Sequence, residues 1–238
     1  MNLLHSDKKP SFKRRSKPNS RHTYGEEAFK RSRLALSKKS AVRSLCLQAI
    51  QWASNQSQRN LCEGSNKKAV DVGCAYGYVT SLLNQLEYDS AGLDISKYAL
   101  RVGERVDRIE GDAENLPFKS DVIDVITCFD TFEHLIRPTL LLKESYRCLR
   151  RGGVLIIENP VANPIDIISD RLHKMRETHC SVLAPKAFIS LVQRAGFYTA
   201  KRGLMPVPFQ RFPVFGRFIE VPVPVPLARR IQIVAIKG

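Results

Sequence analysis

No apolar run in the chain approaches the roughly 18 residues of a membrane-spanning helix, and only Leu3-Leu4 precede a basic stretch at the N-terminus. Neither a membrane span nor a secretory signal is expected. The six cysteines, at positions 46, 62, 74, 128, 148 and 180, include no Cys-x-x-Cys pair. That spacing indicates neither a zinc ribbon nor a thioredoxin-type site, so no metal is expected, and reduced, mostly buried thiols in a cytoplasmic chain are. Thirteen glycines and 13 prolines in 238 residues are too few for a collagen-like or low-complexity protein. No internal repeat is present. Acidic residues are scarce at both ends: 3 against 13 basic in residues 1–44, and 1 against 7 in residues 201–238. Residues 45–200 hold 19 acidic and 18 basic side chains, so the formal net charge of +15 belongs to the ends.

What is there suffices for one substantial core, since 43% of the residues are hydrophobic and the length suits one large domain with extra segments. Residues 1–30 read as a disordered basic arm. A stretch such as Lys8-Lys9-Pro10-Ser11-Phe12-Lys13-Arg14-Arg15-Ser16-Lys17-Pro18 buries too little apolar surface to offset its ordering entropy. Such an arm attracts a polyanion, either nucleic acid, which residues 1–44 would contact, or an anionic membrane. A solubilising or targeting tail is the alternative, and a mitochondrial presequence is a third, weakened by Asp7, Glu26 and Glu27.

Residues 31–238 alternate helix and strand. Val42, Leu45, Cys46, Ala49, Ile50 and Ala53 recur on one helical face. Short apolar runs at 69–72, 91–94, 122–129 and 153–157 read as buried strands of a parallel sheet. Residues 138–151 form a helix ended by Gly152-Gly153, and another helix begins near Pro185 and stops at Gly196. Ile231 to Ile236 close the chain as a strand. The expected fold is a doubly wound α/β sandwich with a mostly parallel sheet. The segment 205–226, with prolines at 206, 208, 213, 222, 224 and 226, reads as an irregular insertion, because proline cannot donate to a ladder.

The first strand runs into Asp71-Val72-Gly73-Cys74-Ala75-Tyr76-Gly77-Tyr78. Glycine at 73 and 77 permits a tight strand-to-helix turn and close approach of backbone to a ligand. The dinucleotide spacing G-x-G-x-x-G fails at Tyr76 and Tyr78, and no Gly-Lys-Ser/Thr comes after it to make a phosphate loop. An ordinary βα turn remains the plain alternative.

This stretch resembles the class I S-adenosylmethionine-dependent methyltransferases, type 11-like branch, whose first motif is an acidic residue followed by G-x-G-x-G; here Ala75 replaces the middle glycine. Three further matches occur in order. Asp94, 23 residues after Asp71, stands where the family places the carboxylate that accepts both ribose hydroxyls. Gly111-Asp112-Ala113 resembles the motif whose acid receives the adenine amino group, and the run from Asp124 through Phe129 to Leu135 resembles the strand-four segment. Over residues 40–200 the resemblance implies a seven-stranded Rossmann-like sheet and S-adenosylmethionine as cofactor. It implies contacts from Asp71, Gly73, Ala75, Gly77, Asp94, Ile95, Asp112, Ala113 and Phe129. Asp71 either approaches the methionine end of the cofactor or hydrogen-bonds only its own turn. Cys74 reads as space-filling.

Methyl transfer from a sulfonium is an in-line displacement that needs positioning above all, and a base only for a protonated acceptor. His134, after strand four, is a candidate base, with helix capping or a structural role beside Glu133 as the alternative. His179, in a loop that resembles a His-containing loop of type 11 relatives, is a substrate-side candidate. Phe129-Asp130-Thr131-Phe132 lacks the Asn/Asp-Pro-Pro-Tyr/Phe motif of amine-methylating relatives, which disfavours adenine methylation. The expected acceptor is a small molecule or lipid-like compound, with residues 160–184 and the Pro-rich segment as a lid. Two rivals stand beside it: an RNA or protein methyltransferase docked by the arm, and a catalytically silent binding protein of the same fold. The sequence does not determine an oligomeric state.

Overall fold

The computed structural model describes residues 39–161, 180–198, 207–214, 217–222 and 230–238. The basic arm and most of the expected lid, His179 included, lie outside these residues.

Helix α1 (Lys39–Ser57) buries Cys46, Ala49, Ile50 and Ala53, the face that the periodicity picks out. The chain then alternates through β1 (Lys68–Val72), α2 (Tyr78–Gln85), β2 (Asp89–Asp94), α3 (Lys97–Val102), β3 (Arg108–Glu110) and β4 (Ile123–Phe129). Next come a 3-10 turn (Phe132–His134), α4 (Pro138–Cys148), β5 (Leu149–Pro160), α5 (Pro185–Arg194) and β6 (Phe197–Tyr198). Strands β7 (Val207–Val214), β8 (Arg217–Pro222) and β9 (Arg230–Lys237) complete the order. The sheet runs β3-β2-β1-β4-β5-β9-β7-β8, with β6 also paired to β9. Pairs among β1 to β5 are parallel, and β9 enters antiparallel to β5, from Val154 opposite Ile236 to Pro160 opposite Arg230.

Helices cover both faces. On one, Leu141, Leu142 and Cys148 of α4 and Phe188 and Val192 of α5 pack on Ile126, Leu155, Ile157 and Ile233. On the other, Cys46, Ile50 and Ala53 of α1 and Val79, Leu82 and Leu83 of α2 pack on Val125, Val154, Ile156 and Val234. Alternate residues of β5 thus serve opposite cores, and for this reason its sequence is a continuous apolar run. Among the described residues no helix is long and apolar enough to cross a membrane.

The doubly wound expectation holds, with three differences. The first concerns the glycine pair. Helix α4 stops at Cys148, and Gly152-Gly153 lie inside β5, where Gly152 takes φ +73° and the register with β4 shifts between Ile123 and Val125. The pair makes a bulge and not a helix cap. The second is β3, which is three residues long and carries no apolar run to reveal it. The third is the Pro-rich segment. Part of it forms the antiparallel hairpin β7–β8, which joins β9 at Val207–Phe209. Over most of its length β7 bonds one neighbour at a time, β9 over 207–209 and β8 over 209–214, and one-sided pairing tolerates a residue without an N–H. The seven-stranded framework is present, its outer position shared by β6 and β7, and the hairpin adds β8 beyond it.

Candidate functional site

Strand order reverses between β1 and β4, and at such a switch point the loops after the strand ends diverge to leave a crevice. The loop after β1 fills one side. Gly73 and Gly77 both adopt φ +78°, the left-handed region, and so does Ala75, at φ +46°. The replacement of a middle glycine therefore leaves backbone strain that a methyl side chain does not relieve. The Gly73 and Cys74 N–H groups both donate to the Leu93 carbonyl, at 2.7 and 3.1 Å, and Gly77 N–H closes the turn on the Cys74 carbonyl at 2.7 Å.

Asp94 reaches this loop from the end of β2. Its Oδ2 accepts the Ala75 N–H at 2.8 Å and its Oδ1 the Ser96 N–H at 2.8 Å. Burial pushes its carboxyl up, and the backbone donors together with His134 pull it back. A carboxylate has about four acceptor positions, and the Ala75, Ser96 and Ile95 N–H groups meet up to three of them, so it can still accept a hydroxyl. Beside it the Gly111 N–H donates to the Asp94 carbonyl at 3.0 Å, and Asp94 lies opposite Glu110 in the β2–β3 register. Asp112 is exposed, its Oδ1 accepting only the Glu114 N–H of its own turn, at 2.8 Å. Ala113 is buried behind it, and Ile95 and Phe129 are half-buried at the ends of β2 and β4.

Asp71 points elsewhere. Its oxygens accept the Thr127 and Thr80 hydroxyls at 2.9 and 3.1 Å, and it is 2% exposed. Of the two roles left open for it, these bonds favour bracing: the carboxylate ties β1 to β4 and α2. Cys74 is equally enclosed; burial drives its thiol far above the ordinary range, which suits a packing residue and not a nucleophile.

The turn after β4 forms the opposite wall. His134 is a quarter exposed, its Nε2 3.9 Å from Glu133 Oε1, and it stands within electrostatic reach of Asp94. The Ser181 N–H and hydroxyl donate to the Glu133 and Leu135 carbonyls at 2.9 and 2.6 Å, which seats the segment before α5 against this turn. Glu114 accepts from the Arg137 Nε at 2.9 Å and joins the Asp112 loop to the same wall. Among the described residues no cluster of His, Cys, Asp and Glu is arranged to hold a metal ion.

Four residues with evident roles here escape sequence reasoning: Thr80, Thr127, Thr131 and Arg230. Thr127 and Thr131 lie within the strand-four run but the run assigns them no role, and the hydrogen-bond partners of Thr80, Thr127 and Arg230 lie 9 to 100 residues away along the chain. The hydroxyl of Tyr78, buried among Ala75, Tyr76 and Ala99, has no hydrogen-bond partner. It is a donor held ready beside the loop.

Comparison with known proteins covers this same region. The family described as Methyltransferase domain matches residues 70–157. The phthiotriol/phenolphthiotriol dimycocerosates methyltransferase 1 of Mycobacterium ulcerans is 32% identical over 104 residues, 40% of this chain and 38% of that protein. The chloroplastic 2-methyl-6-phytyl-1,4-hydroquinone methyltransferase 1 of Oryza sativa subsp. japonica is 31% identical over 144 residues, 56% of this chain and 42% of that protein. The chain thus spans about two fifths of the length of these curated relatives. A SAM-dependent methyltransferase from Archaeoglobus fulgidus shares the fold with a TM-score of 0.62 at 16% identity, over 87% of this chain and all of that one. The residues that the family covers are those that build the loop and its two carboxylates, so over residues 70–157 the chain is similar to the methyltransferase domain, and its fold is that of the solved methyltransferases.

Proposed function

We propose that this chain transfers a methyl group from S-adenosylmethionine to a small-molecule or lipid-like acceptor. The observation that carries the reading is the pair of carboxylates on adjacent strand ends, Asp94 and Asp112, beside a left-handed loop backed by Leu93. The cofactor fits this site on two counts: Asp94 retains acceptor capacity after bonding the Ala75, Ser96 and Ile95 N–H groups, and Tyr78 has a buried hydroxyl lacking a partner.

When bound, S-adenosylmethionine supplies an electrophilic methyl on sulfur. Asp94 would accept the ribose hydroxyls and Asp112 the adenine amino group, with Ile95, Ala113 and Phe129 lining the ring. Gly73, Ala75 and Gly77 would admit the amino-acid end, where Tyr78 can donate. Orientation supplies most of the rate in such a displacement. His134, across the crevice, would take a proton from a hydroxyl acceptor. Two relatives are named for methylating dimycocerosates and a phytyl hydroquinone, and that likeness supports a lipid-like acceptor for this chain.

The test has two stages. Calorimetry should give S-adenosylmethionine and its demethylated product measurable affinity and NAD none; tighter NAD binding removes the reading. Label from the methyl group should then pass into the small-molecule or lipid fraction of a cell extract. Transfer into RNA or protein would name the acceptor class wrongly while leaving the cofactor right. His134→Ala should abolish turnover with cofactor affinity intact; a lowered melting temperature with turnover retained makes His134 structural.

A further inference from the structure

Arg230, the first residue of β9, belongs to none of the motifs. Its side chain is only 14% exposed, and its Nε donates to Glu158 Oε1 at 2.9 Å while its Nη2 donates to Asp130 Oδ1. Glu158 lies near the end of β5 and is 3% exposed; Asp130 is the first residue after β4. A guanidinium this enclosed loses hydration that an apolar side chain would not have had to give up. Apolar packing of β9 is already supplied by Ile231 and Ile233, so what Arg230 adds is direction. Two rigid donors in a planar fork fix the position of both carboxylates at once.

Asp130 passes that constraint to its neighbour in the chain. It sits at φ +49°, held there by its own N–H, which donates to the Glu158 carbonyl at 3.0 Å, and by the bond from Arg230. The next residue, Thr131, turns its hydroxyl back to the Phe129 carbonyl at 3.0 Å. In that orientation its Oγ1 and Cγ2 fill the space beside Gly73, 1.9 and 2.6 Å from where a Cβ would stand. Contact therefore runs without a gap from β9, through Asp130 and Thr131, to the glycine loop.

We propose that Arg230 is a positioning residue for the cofactor loop: by clamping Asp130 it holds Thr131 against Gly73 and keeps the loop after β1 in its receiving shape. The proposal rests on the reading of that loop as the S-adenosylmethionine site. Removing the guanidinium takes away the two bonds through which β9 holds Asp130 and Glu158.

The experiment measures amide hydrogen exchange of residues 73–77 in the protein without cofactor, and calorimetric affinity for S-adenosylmethionine and its demethylated product. Arg230→Met should speed exchange at Gly73 and Cys74 at least tenfold and weaken both ligands about tenfold. Arg230→Lys should restore most of each loss. Asp130→Asn keeps the turn residue yet weakens the clamp; it should reproduce the exchange effect and add little to Arg230→Met. It also carries the test if Arg230→Met does not fold. Wild-type exchange in the loop of either variant overturns the clamp, as does an affinity loss that follows melting temperature and is not restored by Arg230→Lys. Because exchange is read without ligand, failure of the wild type to bind S-adenosylmethionine would strike the functional reading alone.

Discussion

Thr131 stands where any side chain on Gly73 would have to go: a Cβ built there lies 1.9 Å from the Thr131 Oγ1 and 2.8 Å from its Cβ. Two loops from strands separated by more than 50 residues are thus fitted backbone to side chain, and glycine at 73 is demanded by a neighbour as well as by its own φ of +78°. Gly73→Ala should destabilise the fold by about 1–3 kcal/mol from backbone strain alone and abolish cofactor binding. Thr131→Ala in the same chain should return part of the loss, since it removes the two nearest atoms and leaves the third. Thermal melts of the four variants of this cycle measure the coupling, and strict additivity would show that the two loops do not touch.

Ala75 gives a prediction of opposite sign. At φ +46° its methyl group carries strain that glycine would not. Ala75→Gly should raise stability by up to about 1 kcal/mol, a gain of roughly 2–4 °C in melting temperature for a chain of this size, partly offset by the entropy of the unfolded glycine. Ala75→Val should lower it well beyond that.

Asp71 predicts a pH dependence. Burial pushes its carboxyl up to about 7 despite hydroxyl donors at Thr127 and Thr80. The unfolded chain gives up this proton near pH 4, so between about pH 4 and 7 the folded state holds more protons than the unfolded one. The contribution is complete below pH 4 and is lost as pH rises through 7, with a slope of up to about 1.4 kcal/mol per unit. Asp71→Asn should flatten that slope in denaturant titrations at pH 5 and 8, and a variant that keeps the wild-type slope places its origin elsewhere.

Asp94 and Asp112 should separate by their second effects. Either change to Ala removes a charge-assisted acceptor, so each should weaken S-adenosylmethionine by about 1.5–3 kcal/mol. Asp94→Ala also strips the partners of the Ala75 and Ser96 N–H groups and should lower the melting temperature. Exposed Asp112 braces only its own turn and should not. Calorimetry beside a melt distinguishes them.

The arm predicts a salt effect. If about four cations of residues 1–30 reach phosphates of single-stranded RNA, log affinity should fall with log salt at a slope near −3. Deleting residues 1–30 should remove that slope and leave cofactor affinity unchanged. Full-length protein with no salt-dependent RNA binding ends the nucleic-acid alternative.

The alternation of helix and strand, the face of α1, the ends of α5 and the glycine loop after β1 were determined by the sequence alone, because each is local: periodicity and turn chemistry act within a few residues. Asp94 stands at the end of a short apolar run, whereas Asp112 follows a strand with no such run and is picked out only by its likeness to a family motif. Tertiary structure alone decided which acid braces and which faces the crevice. Asp71 and Asp94 both end or nearly end strands, and they differ only in that Thr80 and Thr127 surround the first while backbone N–H groups meet the second. It also decided that Gly152-Gly153 form a bulge and that prolines enter a hairpin, since both depend on which strand lies alongside. Arg230 is the furthest case: its partners are 72 and 100 residues away, brought within reach only because β9 turns back against β5. A charge pattern along the chain cannot encode such a pairing, because strand order is set by the packing of helices on both faces and not by the residues that it brings together.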